Sequence, residues 1–181
     1  MRADARRNRE RLLSEARAAF AAQGTDASLE DIARRAGVGI GTLYRHFPTR
    51  EELLGAVFRD GLAELLDRSA ELAGASDPCA ALVAWLRTLI AHAGEYRGLS
   101  VALMSASYGR SSALAECSEP LRAAGGRLLA RAREAGTVRA DVSIGDLMKL
   151  TNAIALAAER SPDDPELADR LLDVTVRGLR A

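Results

Sequence analysis

Apolar residues recur at three- and four-residue steps along the chain, and the two-residue alternation of half-buried strands is nearly absent. This pattern predicts an all-α protein of about nine helices. Leu12, Leu13, Ala16, Ala19 and Phe20 form the first stripe, from about Asp4 to Ala22, and Gly24 supplies a left-handed stop. Ser28 with Asp31 three residues on opens a short helix that turns Leu29, Ile32 and Ala33 inward and ends at Gly37. A third helix must begin within two or three residues. Thr49 with Glu52 is a full capping box for a long fourth helix, striped by Leu53, Leu54, Val57, Phe58, Leu62, Leu65 and Leu66.

Asp77-Pro78 places an N-cap and an N1 proline before a fifth helix carrying Leu82, Val83, Trp85, Leu86, Leu89 and Ile90. A sixth covers Leu99 to Tyr108. Ser111 to Ala135 is helical in pattern, but Pro120 lacks the N–H that would bond Glu116, and Gly125-Gly126 weakens the next turns, so a kink or split is expected there. Ser143 with Asp146 caps an eighth helix reaching about Arg160, and Asp164-Pro165 caps a last one ending near Leu179.

The chain of 181 residues is long enough for a small module on a larger body. Its 25 basic and 25 acidic residues cancel, but their distribution does not. Up to Arg50 there are ten arginines against six acids, a net +4, so the remainder carries −4. That asymmetry suits a nucleic-acid-facing module on an acidic body. Cys79 and Cys117 are too few for a disulfide framework, no charged leader precedes an apolar run, and no stretch approaches the ~20 apolar residues of a membrane span. A cytoplasmic protein without membrane integration is expected.

The candidate chemistry lies in Ser28 to Phe47, SLEDIARRAGVGIGTLYRHF: two short helices joined by a tight glycine turn. That arrangement is the DNA-binding helix-turn-helix, whose second helix enters the major groove. Leu43 and Phe47, four apart, anchor the second helix to the core. Thr42, Tyr44, Arg45 and His46 are then expected to face outward, where hydroxyl, phenol, guanidinium and imidazole all donate to phosphate and Arg45 also reaches a guanine edge. Gly41 permits close approach of its backbone to a neighbouring helix or a phosphate. Ser28, at the start of the first of the two helices, is counted among the DNA contacts, and Arg50 adds a phosphate contact from the next helix's first turn. Arg34 and Arg35 read as a solvated face. Arg6, Arg7, Arg9 and Arg11 fit either a flexible minor-groove arm or a solvated helix end.

The ordered string Ile32-Ala33, Ala36-Gly37-Val38, Gly41-Thr42-Leu43-Tyr44 and Phe47 closely resembles the TetR-family pattern. Further on, Leu128 to Glu159, with ARAREAGTVRADV and NAIALAAE, looks like the C-terminal domain of the SbtR-like subgroup. The resemblance implies a DNA-binding domain of three helices over residues 1–48 and a helical regulatory and dimerisation domain over 49–181. It implies a homodimer on a double-stranded, palindromic operator, and a repressor released by a small-molecule effector. One position departs from the pattern: Gly39 stands where the family commonly has Ser or Thr, which removes a hydroxyl contact while costing the cap only a few tenths of a kcal/mol.

Competing readings carry less. Gly37-Val38-Gly39-Ile40-Gly41 is no dinucleotide loop, because a helix precedes it and Thr42 occupies the third glycine's place. His46, His92, Cys79 and Cys117 have no metal-site spacing, and no serine or cysteine carries a signature of activation, so neither an enzyme nor a cofactor is expected. The rival from another class is a helical small-molecule- or partner-binding protein without DNA activity, distinguished by the salt dependence that phosphate contacts impose.

In the body, Trp85, Leu89, His92, Tyr96, Met104, Tyr108, Cys117 and Asn152 mix apolar bulk with polar ends, as ligand cavities do. Leu147, Leu150, Ile154 and Ala157 form one stripe and Leu167, Leu171 and Val174 another, and two copies of these last helices are expected to pack as a four-helix dimer interface.

Overall fold

A computed structural model describes residues 2–108 and 113–180. Among them lie nine helices: α1 (Arg2–Gln23), α2 (Leu29–Arg35), α3 (Ile40–His46), α4 (Arg50–Leu72), α5 (Pro78–Gly94), α6 (Leu99–Tyr108), α7 (Ala113–Glu134), α8 (Ile144–Glu159) and α9 (Leu167–Leu179). The only extended pairing among the described residues is an isolated antiparallel bridge of Val138 with Arg180, where the Arg139 N–H donates to the Leu179 carbonyl at 3.0 Å.

The helix starts are chemical. Ser28, Thr49, Asp77 and Ser143 each hold an extended backbone and accept, through the side chain, the N–H three residues on, of Asp31, Glu52, Ala80 and Asp146. Each bond satisfies one of the donors that a first turn leaves open. Gly24 and Gly37, at φ +85° and +68°, end α1 and α2 in the left-handed conformation that glycine alone enters without cost.

α1, α2 and α3 surround the buried side chains of Leu12, Phe20, Ile32, Leu43 and Phe47, and the first turns of α4 close this unit with Leu53 and Leu54. α4 then runs on along α7, while α5 lies against α7 and α8. Trp85 is fully buried among them; its Nε1 donates to the Leu65 carbonyl at 3.3 Å. Gly125 makes that position possible, since a Cβ there would stand 2.4 Å from the Trp85 ring.

Three local expectations are narrowed or corrected. Of the kink and the split expected near Pro120, the split does not occur: α7 is continuous from Ala113 to Glu134 with Pro120 inside it, so the single lost N–H is carried within one helix. α9 starts at Leu167 rather than at an Asp164-Pro165 cap. The Asp164 carboxylate is taken by both Arg170 Nη atoms instead of by a first-turn N–H. Of the two readings of the N-terminal arginines, the helix end is the one observed: they lie on α1, where Arg7 pairs with Asp4, Arg6 with Glu10, Arg11 donates to Asn8, and the Arg9 guanidinium lies over the Phe47 ring at 5.3 Å.

Candidate nucleic-acid interface and internal cavity

α2 and α3 meet through a tight turn in which the Val38 N–H donates to the Ala33 carbonyl at 3.0 Å and the Gly37 N–H to Arg34 at 3.0 Å. Gly39, at φ −73° and ψ 152°, stands as the N-cap of α3 without a side-chain hydrogen bond. Leu43 and Phe47 are buried, and they pin the helix so that its opposite face is open. On that face Tyr44 is 45 % exposed and Arg45 is exposed beside it. Arg45 lies back along its own helix, Nε donating to the Gly41 carbonyl and Nη2 to Thr42 Oγ1, both at 3.2 Å.

Four expectations for this face change. Thr42 and His46 are half-buried rather than fully outward; Thr42 receives Arg45, and the His46 ring lies 6.3 Å from that of Phe47. Gly41 meets nothing within 4 Å of a Cβ, so no neighbouring helix among the described residues approaches it. Ser28 is spent on capping: its Oγ accepts the Asp31 N–H at 3.2 Å and donates to Glu30 at 3.3 Å. Arg50 is half-buried, with Nη1 donating to the Thr25 and Ala27 carbonyls at 2.8 and 2.7 Å, which staples the start of α4 to the α1–α2 loop. Of Arg34 and Arg35, the first pairs with Asp31 and the second with Glu15 of α1.

Within the body lies a cavity of about 50 Å³, open to solvent at one side. Of the expected residues it brings together Leu89, His92 and Asn152. Trp85 and Tyr96 are not among its walls: Trp85 fills core space over Gly125, and Tyr96 stands edge-on behind His92 with ring centres 6.1 Å apart. Met104, Tyr108 and Cys117 lie outside the residues whose side chains are described. Sequence reading missed Phe58 and Leu65 of α4, Arg122 of α7 and Lys149 of α8. Phe58 and Leu65 belong to an ordinary helical stripe, and nothing local distinguishes a stripe facing a cavity from one facing core.

His92 joins the cavity to α4. Its ring is packed 5.6 Å from that of Phe58, its Nδ1 lies 3.3 Å from a Glu95 carboxylate oxygen, and its Nε2 is buried with no partner. Gly61 admits the ring edge, since a Cβ there would stand 2.5 Å from His92 Cε1.

The expected dimer stripe divides. Leu147 and Ile154 are buried in the chain's own core and are corrected to that role, because this face of α8 packs on α5 and α6. Leu150 and Val174 are 43 % and 67 % exposed, and Ala157, Leu167 and Leu171 are half-buried beside that open face. No helix among the described residues is long and apolar enough to cross a membrane, and no group of three or more potential metal ligands gathers among them.

A short helix pair presenting Tyr44 and Arg45, carried on the first turns of a long helix that walls a cavity, is the layout of a helix-turn-helix regulator. Residues 12–57 match the family model described as bacterial regulatory proteins, tetR family, and residues 77–181 match that of the transcriptional regulator SbtR-like C-terminal domain. The chain belongs to the TetR family of bacterial transcriptional regulators.

The TetR transcriptional regulator SCO0520 from Streptomyces coelicolor is 38 % identical, with TM-score 0.63, over 95 % of this chain and 98 % of that one. The FadR repressor of Thermus thermophilus, solved with lauroyl-CoA, shares the fold at 24 % identity and TM-score 0.68, over 93 % and 91 % of the two chains. The uncharacterized HTH-type regulator TtgW of Pseudomonas putida is 46 % identical over 56 residues, which is 30 % of this chain and 42 % of TtgW. That likeness is confined to less than half of the relative's length.

Proposed function

We propose that the protein is a homodimeric repressor, built of a DNA-binding unit over residues 1–48 and a regulatory body over 49–181, that leaves a palindromic operator when a small molecule fills the cavity. The single observation that carries this reading is α4. Its first turns, with Leu53 and Leu54, are core of the helix-turn-helix unit, while Phe58 and Leu65 further along are cavity wall. Thr49, its N-cap, follows the last residue of α3 by three positions. A ligand that displaces Phe58 therefore tilts a rigid rod whose other end holds the recognition helix. Such a ligand shifts DNA affinity only by binding the DNA-competent and incompetent arrangements unequally.

On DNA, Tyr44 and Arg45 make the outward contacts, and the open backbone at Gly41 lies against a phosphate. Thr42 and His46 are secondary contacts at the edges of that face. The exposed part of the last two helices, around Leu150, Leu171 and Val174, joins two copies, which spaces two recognition helices for half-sites about 34–36 Å apart or a multiple of that distance. The role in this reading is regulation rather than catalysis.

Footprinting of the full chain on the DNA flanking its own coding region, with and without a panel of small molecules, tests the reading. Two protected half-sites related by a two-fold axis, and loss of protection with at least one compound, are expected. Protection that no compound alters contradicts effector release, and no protected site on any duplex contradicts DNA binding itself.

A further inference from the structure

Resting on the reading of the cavity as an effector site, we infer that its ligand is a small organic acid: a compact apolar body carrying one oxyanion head, held at the mouth by Arg122 and Lys149. Phe58, Leu65, Leu89 and Leu121 give the walls an apolar part, Ser118, Thr151 and Asn152 a neutral polar part, and among the described residues no aspartate or glutamate lines the cavity. The two charged side chains that do line it are both cations, one from α7 and one from α8. Lys149 is the only lysine in the chain. It has no ion-pair partner among the described residues, whereas surface arginines such as Arg34, Arg68 and Arg139 are closely paired with acids. The acid beside Arg122 is Glu119, at 3.6 Å and with its side chain 72 % exposed. Such a solvated pair contributes little and yields readily to a better-placed anion.

The backbone adds to the same potential. Gly145 has no side chain to obstruct Arg122, whose Nη1 would stand 3.0 Å from a Cβ there, so the guanidinium lies over the first turn of α8. A helix N-terminus presents unpaired N–H groups and the positive end of the helix dipole. The acid in that turn, Asp146, is turned to the Ser143 cap and is not part of the lining. A neutral ligand would cover two cations without compensating either, while an oxyanion head meets both through charge-assisted hydrogen bonds.

Calorimetric titration of the full chain with phenylacetate, octanoate and benzyl phosphate, each against the neutral phenylacetamide or octanamide, tests the inference. At least one acid is expected to bind about tenfold more tightly than its amide counterpart. Arg122→Gln and Lys149→Gln, both at exposed positions, are each expected to weaken the acid about fivefold and leave the amide unchanged. Phenylacetate against benzyl phosphate then tells a carboxylate head from a phosphate. Failure of all three acids to bind, or amides that match their acids, overturns the inference, as do variants that leave acid affinity unmoved. Binding and DNA release by amides alone would still leave the effector cavity standing, whereas a footprint that neither these probes nor the wider panel alters would remove the effector reading as well.

Discussion

The Glu159 carboxylate accepts the Gly98 backbone N–H with both oxygens, each at 3.1 Å, so the last residue of α8 holds the turn between α5 and α6. The same turn docks on the DNA-binding unit. The Thr25 N–H donates to the Arg97 carbonyl at 2.8 Å, and a Cβ on Gly98, which has φ +86°, would meet Thr25 Oγ1 at 2.5 Å. The regulatory body and the helix-turn-helix unit are thus joined at a second point besides α4.

Gly98→Ala is expected to disturb this joint twice, through the left-handed backbone and through the clash with Thr25. Thermal or denaturant unfolding should show a loss of about 1–3 kcal/mol. A variant as stable as the parent would mean that the turn relaxes without cost.

Arg50 was expected on phosphate and is found bonded to the Thr25 and Ala27 carbonyls. Arg50→Met should therefore lower stability by about 1–3 kcal/mol even without DNA, because two carbonyls lose a charged donor. Unchanged unfolding together with weaker DNA binding would return Arg50 to the interface instead.

Tyr44→Ala combined with Arg45→Ala removes two exposed side chains from a helix whose anchors, Leu43 and Phe47, remain buried. Helicity by circular dichroism should be preserved, while operator affinity falls and the slope of log affinity against log salt flattens by about one unit.

Val174→Glu with Leu150→Glu places two charges on the open face of α8 and α9. Both positions are exposed, so the fold should persist while sedimentation reports a monomer of reduced operator affinity. A variant that remains dimeric places the interface elsewhere.

The hydrogen bonds from Arg170 hold the Asp164 carboxyl below its ordinary pKa. A carboxyl depressed in the folded state contributes stability that is complete above its unfolded-state pKa and is lost as pH falls through the depressed value. Asp164→Asn should thus lose a little stability at neutral pH and show a shallower decline in acid, measured by unfolding at both pH values. The pair is exposed, so the difference should be small.

What was legible in the sequence was local. Ser28, Thr49, Asp77 and Ser143 announce helix starts because the cap and the N–H that donates to it lie three residues apart. The helix-turn-helix was legible for the same reason: turn glycine, buried Leu43 and exposed Tyr44 all lie within a few residues. Non-local relationships left no such trace. Trp85 has the composition of a cavity residue, and only Gly125 on another helix turns it into core. Leu147 and Leu150 share a helical stripe, but α5 and α6 cover the first and not the second. Asp164-Pro165 has every mark of a cap, yet the Asp164 carboxylate is bonded to Arg170 and the helix starts only at Leu167.

The most direct measurement is fluorescence anisotropy of the full chain on a duplex from its own upstream region, across a range of salt concentrations. The account predicts tight binding to a two-fold symmetric site, with log affinity falling linearly as log salt rises because phosphate contacts release counterions. Binding absent from every duplex, or unaffected by salt, would contradict it.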